Sequence, residues 1–442
     1  MKTFPLGGVH PKENKLTQML PIEIMGIPNS VIVPLNQNLG APNEALVKIK
    51  DEVLAGQKIG DSKAFVSAPV HATISGKIKK IERFYHPCAK RLIGVEITSD
   101  GDNKQIESIL ETEDVNYKEL LGNTAEILSL VKEAGIVGMG GATFPTHVKL
   151  NPPKDKKIDT ILLNGVECEP YLTADHRVML ESPDKILKGF EIILSLFPNA
   201  KGIIGIEGNK NDAYKLLKKK AENYKTIEVI KLKVKYPQGG EKQLIKSVLQ
   251  REVPPGKLPF DIGVLVQNVQ SALSIYEAVT LKKPVIDRVI TISGDAIKEK
   301  KNILVRIGTK LTDIIEFCGG TKENLKKVIF GGPMMGQAIT NLDIPIIKGT
   351  SGILFLSDKE TKVYEESRCL RCGFCVDACP QGLVPADFIS YVKNADFETL
   401  ENMHILDCIE CGCCVFACPS KRKMVHYIKL GKMEINARKK DK

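Results

Sequence analysis

Eight of the twelve cysteines fall into two copies of one pattern in the last quarter of the chain, and this pattern limits the fold more than any other feature of the sequence. The runs are Cys369-Leu-Arg-Cys372-Gly-Phe-Cys375-Val-Asp-Ala-Cys379-Pro380 and Cys408-Ile-Glu-Cys411-Gly-Cys413-Cys414-Val-Phe-Ala-Cys418-Pro419. A cubane cluster needs four thiolates converging on one small volume. The C-x2-C-x2-C-x3-C-P run supplies three of them from a tight loop and sends its fourth to the other cluster. The spacing therefore assigns Cys369, Cys372, Cys375 and Cys418 to one [4Fe–4S] cluster, and Cys408, Cys411, Cys414 and Cys379 to a second. Zinc sites pair two C-x2-C units at a longer separation, without the third cysteine or the Cys-Pro ending. Disulfides are disfavoured because nothing at the N-terminus reads as a secretory signal. Cys413 is surplus to the pattern and reads as an inert neighbour; Cys88 and Cys318 read as ordinary residues.

A chain of 442 residues has room for three or four domains of roughly 100–200 residues each. No run of about 18 apolar residues is uninterrupted, the best candidates being broken by Gln267, Asn268 and Gln270 or by Lys132 and Glu133, so no transmembrane span is expected. The net charge of +10 comes with dispersed lysines and no tryptophan, which argues against nucleic acid. A basic surface instead suits an acidic redox partner or an anionic membrane face. The tail Ala437-Arg-Lys-Lys-Asp-Lys442 is expected to be solvated and disordered.

The expected fold class is multidomain α/β. Residues 1–112 carry short apolar runs (Ser30–Pro34, Ala45–Ile49, Ala64–Val66, Ala72–Ile74, Leu92–Ile97) that read as a small all-β module. Within it the stretch from Val47 to Ile81, with Lys50-Asp51-Glu52, Gly56-Gln57, Ala68-Pro69 and Gly76-Lys77-Ile78, resembles the flattened β-sandwich of lipoyl and biotinyl carrier domains. Lys63 sits near a carrier's attachment position, but Asp61-Ser62 and Ala64-Phe65 do not complete a carrier motif, so a structural domain is expected. From 113 to 284, helical spacing (Ile127–Ala134, Lys185–Phe197) alternates with buried-strand runs (Thr160–Leu163, Gly202–Ile206), the mark of an α/β domain whose sheet is covered by helices. Residues 285–350 read as a β-grasp unit with a helix starting near Thr312. Residues 351–442 read as a helical ferredoxin domain with a basic tail.

The other informative stretch is Gly135-Ile-Val-Gly138-Met-Gly140-Gly141-Ala-Thr-Phe144-Pro-Thr-His-Val-Lys149. Glycines let backbone N–H groups approach an anion, and a lysine adds a point charge, though such a loop is as often only a tight turn. Three more polar segments accompany it: Asn164-Gly-Val-Glu167-Cys-Glu169-Pro, Tyr236-Pro-Gln-Gly239-Gly240-Glu241-Lys, and Gln267-Asn268-Val-Gln270. The first and last follow apolar strands, where ligands bind in open α/β sheets. Cys168 reads as a small buried side chain.

These four segments, in this order, resemble the flavin and NADH site of the NADH-oxidising flavoprotein subunit of respiratory complex I, which implies a Rossmann-like α/β fold for 113–284 followed by a β-grasp domain. With the opening Phe4-Pro-Leu-Gly-Gly-Val-His10-Pro11, the Ala68-Pro69-Val-His71 turn and the twin cysteine runs, the whole chain resembles the C subunits of Rnf complexes. The resemblance implies non-covalent FMN, with Gly138, Gly140, Gly141 and Lys149 at its phosphate and ribityl chain and Asn164 near its ring. It implies Phe144 stacked on a ring of NAD(H), and Glu167, Glu169 and Asn268 at further flavin positions. Tyr236, Gly239 and Glu241 would form the loop closing over flavin and dinucleotide. The complex I pattern has acidic residues where Val166 and Gly240 stand. The implied activity is that of a peripheral subunit of a membrane-bound, ion-translocating ferredoxin:NAD+ oxidoreductase. It would pass electrons between NAD(H), FMN and the two clusters to partner subunits, especially a ferredoxin-like B subunit, on the cytoplasmic face of the membrane. A flavin exchanges one or two electrons and so joins a hydride donor to one-electron clusters; no side-chain acid or base is expected. Two alternatives stand beside this: a soluble flavin and iron–sulfur reductase of the cobalamin or proline reductase type, and a ferredoxin-wired scaffold without enzyme activity.

Overall fold

The computed structural model describes residues 1–109 and 116–440. The expected boundary between 112 and 113 and the last two residues of the tail lie outside them.

The N-terminal sandwich pairs two small sheets. One runs in the order Ser30–Pro34, Lys90–Ser99, Gly76–His86, Glu52–Val53, the other Glu44–Ala45, Lys58–Asp61, Val70–His71. Period-two alternation puts Val31 and Val33 on the face that also receives Ile59, Val70, Ile78, Val95 and Ile97. Two expected strands are absent: Ala64–Val66 and Ala72–Ile74 form bends and turns, and of Ala45–Ile49 only Ala45 is in a ladder. These runs are apolar but short, and their backbone bonds are isolated ones, such as Leu46 N–H to Ile59 and Ala72 N–H to Gln57, that do not extend into a ladder. Lys63 stands exposed on the turn that leads to Val70–His71.

The central domain is a fully parallel sheet ordered Ile227–Leu232, Lys201–Glu207, Thr160–Gly165, Val264–Asn268. Ile161 and Leu163 face a core shared with helices Ala174–Glu181, Pro183–Ser195, Asn211–Ala221 and Val269–Thr280. Leu162, pointing the other way, meets helix Glu241–Leu249. Helices thus cover both faces, as a parallel sheet requires. A Cβ on Gly189 would lie 2.0 Å from the Ala272 carbonyl oxygen, so only glycine allows helices Pro183–Ser195 and Val269–Thr280 to approach this closely.

The third sheet has six strands, ordered Ile22–Ile24, Lys301–Arg306, Asp287–Ser293, Gly352–Ser357, Leu325–Phe330, Gln337–Ile339. Two of them fall outside the sequence-derived unit 285–350. Gly352–Ser357 lies between Asp287–Ser293 and Leu325–Phe330 in the middle of the sheet, and Ile22–Ile24 arrives from the opposite end of the chain. Both pairings join distant segments, which local patterning does not report.

The C-terminal module packs helices Pro385–Lys393, Phe397–Asn402 and Met424–Lys440 around Phe388, Leu400, Ile428 and Ile435. The tail expected to be disordered is helical through Lys440. Ile428 and Ile435, two turns apart, bury one face, while Arg438 sits 4.3 Å over the Phe397 ring and Lys439 pairs with Glu401 at 2.5 Å.

The first residues do not belong to the sandwich. Lys2 bridges Leu232, Val9 exchanges backbone bonds with Tyr236 at 2.8 and 2.9 Å, Gly8 donates to the Ala378 carbonyl at 3.0 Å, and Met25 donates to Leu304 at 3.0 Å. This strap crosses the α/β domain, the cysteine module and the six-stranded sheet.

Candidate functional site

The strand order of the central sheet reverses between Thr160–Gly165 and Val264–Asn268. Their carboxyl ends, Asn164 and Asn268, are paired in register and open the crevice where such sheets bind ligands. The glycine loop passes in front of them. Gly138 N–H donates to the Phe144 carbonyl at 2.9 Å and Thr143 N–H to Gly138 at 3.1 Å, which closes the loop on itself. Among the described residues the amides of Gly140, Gly141 and Ala142 have no acceptor, and all three are exposed. A Cβ on Gly140 would come 3.7 Å from Asn268 Nδ2, and Gly141 has φ +110°. The loop thus offers adjacent free N–H groups beside a sheet terminus, the donor set that fits a phosphate.

The expected site residues separate into two groups. Around the crevice, Asn164 donates to the Gly239 carbonyl at 2.9 Å, and Asn268 caps helix Val269–Thr280 by accepting from Gln270 N–H at 2.8 Å. Lys149 donates to Glu241 at 2.7 Å and to the Val266 carbonyl at 2.8 Å, and Phe144 is half-buried at the loop's end. Glu167, Glu169 and Tyr236 lie deeper. The Glu167 carboxylate accepts N–H bonds from Asp175 and His176 at the start of helix Ala174–Glu181, and its backbone has φ +46°. Burial pushes this carboxyl up to about 6 against the pull of Lys15.

Glu169 accepts N–H bonds from Met334 and Met335 at 3.1 and 2.9 Å, and burial pushes it up to about 7. Tyr236, 2% exposed, donates its hydroxyl to the Cys411 carbonyl at 2.9 Å. Cys168 accepts from Gly239 N–H at 3.3 Å and joins Val9, Tyr236, Cys411 and Cys413 in one apolar cluster. Burial raises its thiol well above the usual range. Cys413, fully buried, therefore packs the seam between the α/β domain and the cysteine module.

Sequence reading missed Lys15 and Asp175. Lys15 is held by the strap and donates to the carbonyls of Glu167, Glu169 and Leu172 at 2.8, 2.8 and 2.6 Å, gripping a turn with positive φ at Glu167 and Tyr171. Asp175 accepts from Asn268 and Gln270, both at 2.8 Å. Each is a lone charged residue with no local motif to mark it.

In the cysteine module, Cys379 lies with Cys408, Cys411 and Cys414 on one small cavity, otherwise lined by Leu383, Pro385, Phe388, Val425 and Ile428 among others. The thiol of Cys414 senses those of Cys408, Cys411 and Cys379, whereas that of Cys375 senses Cys418 and Cys369. Among the described residues no three such donors converge on a single metal ion. A cubane spreads its four thiolates over four irons, and an apolar cavity lined by these four cysteines, with Cys413 as a fifth, fits that demand. Cys369 and Cys372 are exposed, next to exposed Leu370 and Phe374; the Cys408 group is at most partly accessible.

Comparison with known proteins agrees with this layout. Residues 2–102 match the RnfC barrel sandwich hybrid domain, 131–277 the Nuo51 FMN-binding domain, 289–338 the SLBB domain and 368–422 the 4Fe-4S dicluster domain. The C subunit of the proton-translocating ferredoxin:NAD(+) oxidoreductase complex of Clostridium ljungdahlii is 51% identical over 99% of this chain and 95% of its own length. The chain belongs to this RnfC family. A second member, from the Na(+)-translocating complex of Acetobacterium woodii, is 44% identical over 98% of this chain and 97% of its own. The C subunit of the Rhodobacter capsulatus ion-translocating oxidoreductase complex is 38% identical over 89% and 75%. Among solved structures, a chain of an NAD+-reducing [NiFe]-hydrogenase superposes with TM-score 0.50 at 18% identity. That match covers 65% of this chain and 56% of the other, and it is a likeness of fold. As a member of the RnfC family the chain carries FMN and [4Fe–4S] clusters, and it is one part of an assembly of several subunits. Among its described residues no helix is long and apolar enough to cross a membrane.

Proposed function

We propose that this chain exchanges electrons between NAD(H) and a partner iron–sulfur subunit, through FMN and two [4Fe–4S] clusters, within an ion-translocating ferredoxin:NAD+ oxidoreductase at the cytoplasmic face of a membrane. The bound flavin supplies the step between two-electron and one-electron chemistry. The protein's part is placement. Gly140 and Gly141 present amides to the flavin phosphate, Gly138 closes the loop that carries them through its bond to Phe144, and Asn164 and Asn268 line the ring end of the crevice. Gly239 and Glu241 close it, and Phe144 offers an aromatic face to the dinucleotide. Lys149 steadies Glu241. The observation that carries the reading is the Tyr236–Cys411 bond, which joins the flavin loop directly to a cysteine loop.

Cys408, Cys411, Cys414 and Cys379 then hold the cluster beside the flavin domain; Cys369, Cys372, Cys375 and Cys418 hold the outer one. The exposed segment around Cys369 and Cys372 is the exit toward a ferredoxin-like B subunit. Anaerobic titration with NADH, following flavin bleaching and reduced-cluster EPR signals together, tests the route. Joint reduction supports it; clusters that respond only to dithionite with a silent flavin reject it.

A further inference from the structure

Lys149 is the cation that the sequence places at the glycine loop, yet its ammonium is already matched by Glu241 and Val266. Unmatched positive charge lies behind the loop. Arg288, 3% exposed on strand Asp287–Ser293, donates through Nη2 to the Met139 carbonyl at 3.4 Å and through Nη1 to the Lys348 carbonyl, and among the described residues its Nε has no partner. Lys348, 1% exposed, donates to the carbonyls of Pro69 at 2.7 Å and Gly135 at 2.6 Å. The next residue, Gly349, is pressed against the loop, where a Cβ would lie 2.5 Å from Thr143 Cγ2.

Among the described residues neither cation is in direct contact with a carboxylate. The charge of Asp175 reaches Arg288 only at longer range, its two oxygens being bonded to Asn268 and Gln270. Lys348 feels only the burial that lowers it to about 7. A buried cation without a counter-ion is costly, so an anion within reach would be strongly favoured. The amides of Gly140, Gly141 and Ala142, exposed and without an acceptor among the described residues, belong to the same loop.

We propose that Arg288 and Lys348 are counter-charges for the phosphate held by the glycine loop, acting through the loop without touching the ligand, and that they make the site selective for phosphorylated over unphosphorylated flavin. This rests on the flavin reading of the crevice. The test uses the full chain stripped of flavin and titrated separately with FMN and riboflavin, following flavin fluorescence. The wild-type chain should bind FMN more tightly than riboflavin. Arg288→Met should weaken FMN about tenfold, ~1.4 kcal/mol, with riboflavin unchanged, and Arg288→Lys should restore part of the loss. If Arg288→Met does not fold, Lys348→Met is carried through the same pair of titrations. An equal loss for both flavins, or none for FMN, overturns the proposal. A wild-type chain that binds neither flavin overturns the underlying reading instead.

Discussion

The hydroxyl of Tyr236 bonds the carbonyl of Cys411 at 2.9 Å, across the seam between the α/β domain and the cysteine module. Tyr236 belongs to the loop that also carries Gly239, whose carbonyl takes Asn164, and Cys411 belongs to a cysteine run. One side chain therefore spans the gap between the two redox regions.

Removing that hydroxyl should affect transfer between the regions more than either region alone. In Tyr236→Phe the Cys411 carbonyl loses its buried donor, costing about 1–3 kcal/mol of stability. Flavin bleaching by NADH is expected at the wild-type rate. Cluster reduction should slow by up to about tenfold, the equivalent of ~1.4 kcal/mol in barrier. Stopped-flow absorbance at flavin and cluster wavelengths reads both, and equal slowing of the two phases would contradict a bridging role.

The crossed ligand sets make a spectroscopic prediction. Cys379→Ala should remove the EPR signal of the cluster built on Cys408 and spare the one built on Cys369, and Cys418→Ala should do the reverse. The opposite pattern would mean that each loop is self-contained.

Gly7 has φ +63°, and a Cβ there would lie 2.4 Å from the Cys379 carbonyl carbon. Gly7→Ala is expected to lift the strap from the cysteine module at a cost of about 1–3 kcal/mol. Limited proteolysis should then cut within the first residues under conditions that leave the wild-type strap intact. Unchanged resistance would show that the backbone absorbs the methyl group.

Lys348 gives stability a pH dependence of defined sign. Its native ammonium loses its proton near 7, lowered from 10.5 by burial. Between those values the unfolded chain binds more protons, so stability rises with pH across that window by at most about 1.4 kcal/mol per pH unit, and is flat below it. Its charged neighbours are Arg288, bonded to its carbonyl, and His71, whose own titration burial drives well below this range. Urea midpoints measured from pH 7 to 10 should climb less steeply in Lys348→Met than in the wild type. Parallel slopes would remove Lys348 as the source.

The cysteine runs and the Gly138–Lys149 loop were legible because their chemistry is written in short spacings. The strands Thr160–Gly165 and Val264–Asn268 were legible because they are continuous apolar runs. What escaped is built from distant single residues. Gly352–Ser357 reads as the start of the last domain until its neighbours Asp287–Ser293 and Leu325–Phe330 are known. Glu167 sits in a flavin-site motif, yet its carboxylate is taken up by the N–H groups that open a helix. Lys15, Asp175, Arg288 and Lys348 carry no pattern at all, and only the fold brings them to the loops they support.

The strap from Lys2 to Met25 is synthesised well before its partners, which include Leu232, Leu304 and Ala378. This early segment can therefore be fully paired only after the polypeptide through Ala378 has been made. Its closure then reports that the flavin half and the metal half have both matured, so a nascent chain starved of iron should reveal itself to cellular proteases within the strap, far along the polypeptide from the cysteines that lack their metal.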